Sequence, residues 1–155
     1  MPMRILSSQD VLAALPMPKA IEAMKQAFGK LSAGEATMPL RTRLATEKGV
    51  SLFMPAYLHQ SQNFGMKIVS VYEDNPKLNL PIVTATVLVL DPETGLVKAL
   101  MDGNSLTAIR TGAAGGLAAQ LLARKNAKIV ALFGAVVQAR SQLQAVICDR
   151  LSKCI

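Results

Sequence analysis

Between Leu100 and Arg140 three local signatures follow one another without a gap, and they constrain the fold more than any other part of the chain. Asp102 or Asn104 offers a side-chain acceptor for a helix that runs to about Arg124, with Leu106, Ile109, Ala113, Leu117 and Leu121 on its apolar face. Lys128-Ile129-Val130-Ala131-Leu132-Phe133 then reads as a short apolar strand broken by Gly134, and Val137 to about Ile147 as the next helix. Strand, glycine turn and helix make the local grammar of a dinucleotide-binding βα unit. The turn Gly134-Ala135-Val136-Val137-Gln138-Ala139 nearly fits G-x-G-x-x-G/A, but Val136 stands at the second glycine, where a side chain obstructs the approach of a pyrophosphate. Backbone N–H groups of Val137 and Gln138 still point from the helix N-terminus toward an anion. In the preceding helix Gly112, Gly115 and Gly116 each cost ~1 kcal/mol against alanine. A closely packed backbone or a ligand against that face would account for them.

The chain before this stretch changes period once. Ser7 or Ser8 caps a short helix over Val11 to Leu15 that Pro16 ends, and Pro18 opens a second helix. In that helix Ala20, Ile21, Met24, Ala27, Phe28 and Leu31 fall on one stripe, opposite Glu22, Lys25, Gln26 and Lys30. From Pro39 the pattern alternates: Arg41–Leu44, Val50–Met54, Phe64–Tyr72, Val83–Leu90 and Leu96–Met101 read as strands, with Asp91-Pro92-Glu93-Thr94-Gly95 the clearest hairpin turn. No crossover helix fits between these strands, so the sheet is expected to be mainly antiparallel. The fold class is an α+β sheet domain followed by the start of an α/β unit.

Composition removes several function classes. Seventeen Lys and Arg against ten Asp and Glu give +7, yet the cations are scattered and aromatics are 4%, which leaves no stacking platform for nucleic acid. Cys148 and Cys154 both lie in the last eight residues, and His59 is the only histidine, so neither a disulfide framework nor a metal site is expected. The longest apolar run, Ile82 to Leu90, is far short of a membrane span, and no signal-peptide pattern opens the chain. A soluble cytoplasmic protein, with no nucleic-acid and no membrane partner, is expected.

Four cationic side chains are candidates for holding an anion. Lys67 lies in Gly65-Met66-Lys67-Ile68-Val69-Ser70-Val71, on the strand face of Val69 and Val71. Arg41 and Arg43 share a face of their strand, and Arg110 stands in the long helix beside Thr111. Guanidinium groups fork onto carboxylate or phosphate, so these residues suit an anionic substrate. Solvated surface positions are the alternative reading of the same residues.

A set of ordered segments resembles the ornithine cyclodeaminase/mu-crystallin family, which includes archaeal-type alanine dehydrogenases. The segments are Met54-Pro55-Ala56-Tyr57, Gly65-Met66-Lys67, Tyr72-Glu73-Asp74-Asn75, Leu80-Pro81, Thr84-Ala85-Thr86, Leu90 to Gly95, Met101-Asp102-Gly103, Leu106-Thr107-Ala108 and Arg110 to Ala114. The resemblance implies a substrate-binding and dimerisation domain over residues 1–122 and the start of an NAD- or NADP-binding Rossmann domain over 123–155. It implies that Arg41, Lys67 and Arg110 hold the carboxylate of a small amino- or imino-acid substrate, with Lys67 catalytic at the reacting centre. It also implies that Ile82, Thr84, Arg110, Thr111, Gly134, Val137 and Gln138 lie by the cofactor, and that the protein is a homodimer. The implied chemistry is hydride transfer at an amine-bearing carbon, converting ornithine to proline and ammonia or acting as an alanine dehydrogenase does.

Three departures from the family pattern bear on that expectation. Ile82 stands where members commonly carry a small hydroxyl residue, and Val136 replaces the second glycine. The family's catalytic aspartate has no counterpart in these 155 residues, and the tail from Cys148 does not continue the pattern. A truncated chain, weakly active or inactive alone, is therefore expected; a non-catalytic, mu-crystallin-like dimeric protein that binds a small ligand is the alternative.

Overall fold

The computed structural model describes residues 2–134 and 136–150, without the side chains of Asp149 and Arg150. The expectations attached to Ala135, and to Cys154 and the tail around it, lie outside the described residues. In chain order the elements are β1 (Arg4–Leu6), α1 (Ser8–Ala14), α2 (Met17–Ser32), β2 (Ala36–Thr37), β3 (Thr42–Ala45), β4 (Val50–Leu58) and β5 (Asn63–Val71). A 3₁₀ turn (Asn75–Leu78) leads to β6 (Val83–Leu90), β7 (Val97–Asp102), α3 (Gly103–Leu122) and α4 (Val137–Arg150). The chain forms two compact units: one contains the residues up to Val11 with Lys30–Ser105, the other Leu12–Gly29 with the residues from Leu106 onward.

The first unit is a seven-stranded sheet in the order β1-β7-β6-β5-β4-β2, with β3 also paired to β4. Every pairing is antiparallel except β1 with β7. The alternation in the sequence located five of the strands; β1 and β2 escaped it because strands of three and two residues are too short to show a period. β1 is followed by α1, whose start is a reciprocal cap. The Ser7 N–H donates to Asp10 Oδ2 (2.8 Å) and the Asp10 N–H to Ser7 Oγ (3.3 Å). Hydrogen bonds from the Ser7 hydroxyl and N–H hold the Asp10 carboxyl below its usual range.

No strand residue of the sheet is fully buried, and Ile5 (70% exposed) and Leu44 (58%) show how open it is. The sheet passes into α3 at Gly103, where a Cβ would stand 2.6 Å from the Ala85 carbonyl carbon and 2.8 Å from the Thr86 nitrogen. Only glycine lets the chain turn from β7 into α3 this close to the β6 backbone.

In the second unit the buried side chains come from three helices: Met17, Ala20 and Ile21 of α2, Ile109, Ala113 and Leu117 of α3, and Ala139 and Ala145 of α4. The apolar stripes fade toward their C-terminal ends. Phe28 and Leu31 of α2 are 45% and 41% exposed, and Leu121 of α3 is 66% exposed. Thus the expected stripes bury only in part.

The strand expected over Lys128–Phe133 does not form. The segment carries no strand assignment, and Ile129 and Phe133 are more than nine-tenths exposed. A strand exists through a partner's hydrogen bonds, and none of the described strands pairs with this one. Among the described residues, no helix is long and apolar enough to cross a membrane.

Candidate functional site

Lys67 sits at the middle of the sheet. Its register partners are Met54 on β4 and Val87 on β6, and Val87 in turn faces Met101 on β7, which faces Leu6 on β1. Directly opposed residues share a face, so one cation interrupts a row that is otherwise Met54, Val87, Met101 and Leu6. The next row on this face carries Arg43, Leu52, Val69 and Ala85. Arg41 is exposed and lies just before β3, not within it as the alternation suggested. Continued by one residue, the β3–β4 register would set Arg41 opposite Met54, two strand spacings or roughly 10 Å from Lys67. Arg41 thus stands one residue beyond the paired register of β3 and β4.

The opposite face is more polar. Ser51 and Ser70 face each other with hydroxyl oxygens 2.8 Å apart, and Thr84 is the partner of Ser70 on the other side. Thr84 thus belongs to the face that Lys67 does not use. Ile82 precedes β6, is 43% exposed, and its carbonyl accepts the Tyr72 N–H (2.9 Å).

Asp102 fixes where α3 begins. Its Oδ2 accepts the Ser105 N–H at 2.8 Å. Burial pushes this carboxyl upward, but the bonds from Ser105 and from the Asn104 N–H outweigh it, and the net shift is downward. Ser105 also meets Ser8 of α1, hydroxyl to hydroxyl at 2.6 Å. Arg110 follows about two turns into α3 and is exposed, with the half-buried Thr111 next to it.

Within the second unit, α4 lies directly on the glycine face of α3. A Cβ on Gly112 would overlap the Ser141 carbonyl, and one on Gly116 would stand 2.7 Å from the Ala145 Cβ. Close helix packing is therefore what these glycines provide, which answers the choice left open by the sequence. Gln142 Nε2 donates to the Thr111 carbonyl (3.3 Å), and its amide occupies the notch at Gly115. Neither Gln142 nor Ser141 stood out in the sequence; each lies within two turns of Gln138, and only the packing reveals them.

Gly134 lies shortly before α4, which begins at Val137. Gly134 has φ +88°, a left-handed conformation that favours glycine, and open space where its Cβ would be. Leu132, Gly134, Val136, Ala139, Arg140 and Leu143 line an open cleft of about 510 Å³. Val137 is exposed at the helix start, and Gln138 Oε1 is buried without a hydrogen-bond partner. Arg140, which the sequence reading passed over, puts a cation beside the helix N-terminus. Arg140 and the N-terminus of α4 are the features of this lining that suit an anion; the other lining side chains are apolar, and Val136 is exposed beside them.

Comparison with known proteins agrees with the motif set. The model of the ornithine cyclodeaminase/mu-crystallin family matches residues 2–152. An alanine dehydrogenase of Archaeoglobus fulgidus is 40% identical over 142 residues, covering 92% of this chain and 44% of the relative. The solved structure of Thermococcus litoralis Delta(1)-pyrroline-2-carboxylate reductase with NADH and L-proline superposes with TM-score 0.88 at 46% identity, covering 96% of this chain and 46% of that one. An archaeal alanine dehydrogenase dimer with bound NAD gives TM-score 0.87 at 40% identity, covering 94% and 45%. The chain spans a little under half the length of these relatives. With residues 2–152 matched by the family model, the chain belongs to the ornithine cyclodeaminase/mu-crystallin family.

Proposed function

We propose that this chain supplies the substrate face and the first cofactor-binding turn of an NAD(P)-dependent oxidoreductase acting on a small amino or imino acid. The observation that carries this reading is Lys67, a cation kept at the centre of an open sheet on a row of Met54, Val87 and Met101. An ammonium group on this row can take a carboxylate among its partners, and the apolar neighbours suit the short aliphatic body of an amino acid. In this reading Arg41, Lys67 and Arg110 hold the substrate carboxylate. Lys67 is also the catalytic residue, holding a proton at the substrate nitrogen. Fixing the carboxylate fixes the Cα hydrogen as well, and positioning supplies much of the rate.

The nicotinamide cofactor, when bound, supplies the hydride acceptor or donor. Gly134, Val137 and Gln138 would hold its phosphates and adjoining hydroxyls at the start of α4, with Arg140 as a counter-charge. Ile82 and Thr111 would stand toward its nicotinamide end, and Thr84, on the sheet face opposite Lys67, would lie by another part of the cofactor. Ornithine cyclodeaminase-like turnover to proline and ammonia and alanine dehydrogenase-like turnover both fall within this chemistry. The half-exposed sheet supports a homodimer, the state of the archaeal alanine dehydrogenase. A cytoplasmic location and domains dividing near residue 122 complete the reading.

Calorimetric titration with L-proline tests it. Saturable binding is expected, weakened at least about tenfold in Lys67→Ala and in Arg110→Ala, since a lost charge-assisted contact is worth about 1.5–3 kcal/mol. Unchanged affinity in both variants would reject the substrate assignment.

A further inference from the structure

We infer that Gln142 is a positioning residue that couples the cofactor turn to Arg110, so that cofactor and carboxylate substrate each tighten the other's binding. The inference rests on the proposed function for the identity of the two ligands, and on the α3–α4 contact for the coupling itself. Among the described residues, three close approaches join α4 to α3. Gly112 meets the Ser141 backbone, Gly116 meets Ala145, and between them Gln142 reaches across to the Thr111 carbonyl. In the first two, a Cβ on the glycine would collide with α4, so the helices lie closer than any side chain at these positions would allow. The third is directional, and its acceptor belongs to the residue directly after Arg110.

The same helix carries the cofactor turn at its other end. Val137 and Gln138 open α4, and Arg140 lines the cleft beside Gly134. Gln142 is four residues, about one turn, beyond Gln138 on the same side of α4. An anion drawn to the α4 N-terminus restrains that first turn. The Gln142 amide passes the restraint to the carbonyl of Thr111, the residue after Arg110, so the guanidinium is held for the carboxylate before the substrate arrives. Linkage makes the effect mutual. Gly115 belongs to this arrangement, because a Cβ there would overlap Gln142 Oε1, and the three atoms nearest to it all belong to that flexible amide. The notch at Gly115 is therefore a seat for the Gln142 side chain.

The test is calorimetric titration of the full 155-residue chain with NADH, alone and in saturating L-proline. For the wild-type chain L-proline is expected to tighten NADH about fivefold, the lower end of ordinary coupling between sites. Gln142→Leu keeps the volume and removes the donor; Gly115→Ala keeps the donor and fills its seat while favouring the helix. Each is expected to bring the ratio close to one while leaving the affinity for either ligand alone little changed, and the double variant to add nothing further. A residue that merely supported the fold would change the single affinities and leave the ratio alone, and that result would overturn the inference. So would wild-type coupling retained in Gln142→Leu, or a ratio of one in the wild-type chain, with both ligand sites left standing. Failure of the wild-type chain to bind either ligand would overturn the proposed function and the coupling together.

Discussion

At the scale of single residues, the best-determined electrostatics lie in the β6–β7 turn and not in the candidate site. Asp91 Oδ2 pairs with Lys98 Nζ at 2.5 Å, and Asp91 Oδ1 accepts the N–H groups of Glu93 and Thr94. The hydrogen bond from Lys98 comes first, then those two N–H groups, and together they pull the Asp91 carboxyl from 3.8 to about 2. Because the folded value lies below the unfolded one, the unfolded chain binds more protons between them. The stabilisation is complete above 3.8 and is lost as pH falls through about 2. Lys98→Ala should move the Asp91 titration back toward 3.8, read from its carboxyl carbon by NMR; an unmoved titration would assign the depression to the turn backbone alone. The turn itself was legible in Asp91-Pro92-Glu93-Thr94-Gly95. The pair was not, because Lys98 reaches Asp91 through the register shift beside Val97 that no alternation reports. Lys67 shows the opposite case: period two placed it on the face of Val69 and Val71, and the register agrees.

Among the elements, α3 and α4 show how far local pattern carries. Their existence and approximate ends were readable from caps and apolar spacing, and Asp102 does cap α3. What the glycines of α3 faced was not readable, since a ligand and a helix demand the same absence of side chain. The structure sets Ser141, Gln142 and Ala145 of α4 there. Gly112→Val should therefore lower stability by about 1–3 kcal/mol, the ordinary range for forcing extra carbons into a packed contact. Guanidinium unfolding checks it, and an unchanged midpoint would show that α4 does not rest on Gly112. Over Lys128–Phe133 local pattern failed for a physical reason. The five apolar, partly β-branched residues after Lys128 have strand propensity, but a strand is completed by its neighbour, and no described strand pairs with this segment.

For the molecule as a whole, the antiparallel sheet was inferred from the lack of crossover helices and five of its strands from their alternation. The parallel β1 on the far side of β7 needed long-range pairing that a three-residue strand cannot announce. The candidate site divided in the same way. Residue types and motif order pointed to Arg41, Lys67 and Arg110, whereas Arg140 and Gln142 became visible only once α4 was seen against its turn and against α3. The central claim is that the turn at Gly134 and the start of α4 still form a nucleotide site although Val136 has replaced a glycine. The most direct measurement is a fluorescence titration of the chain and of its Val136→Gly variant with NADH, with inorganic pyrophosphate as competitor. Saturable binding that pyrophosphate displaces, and that tightens when Val136 is replaced by glycine, is the predicted result. No saturable binding by either chain would contradict it.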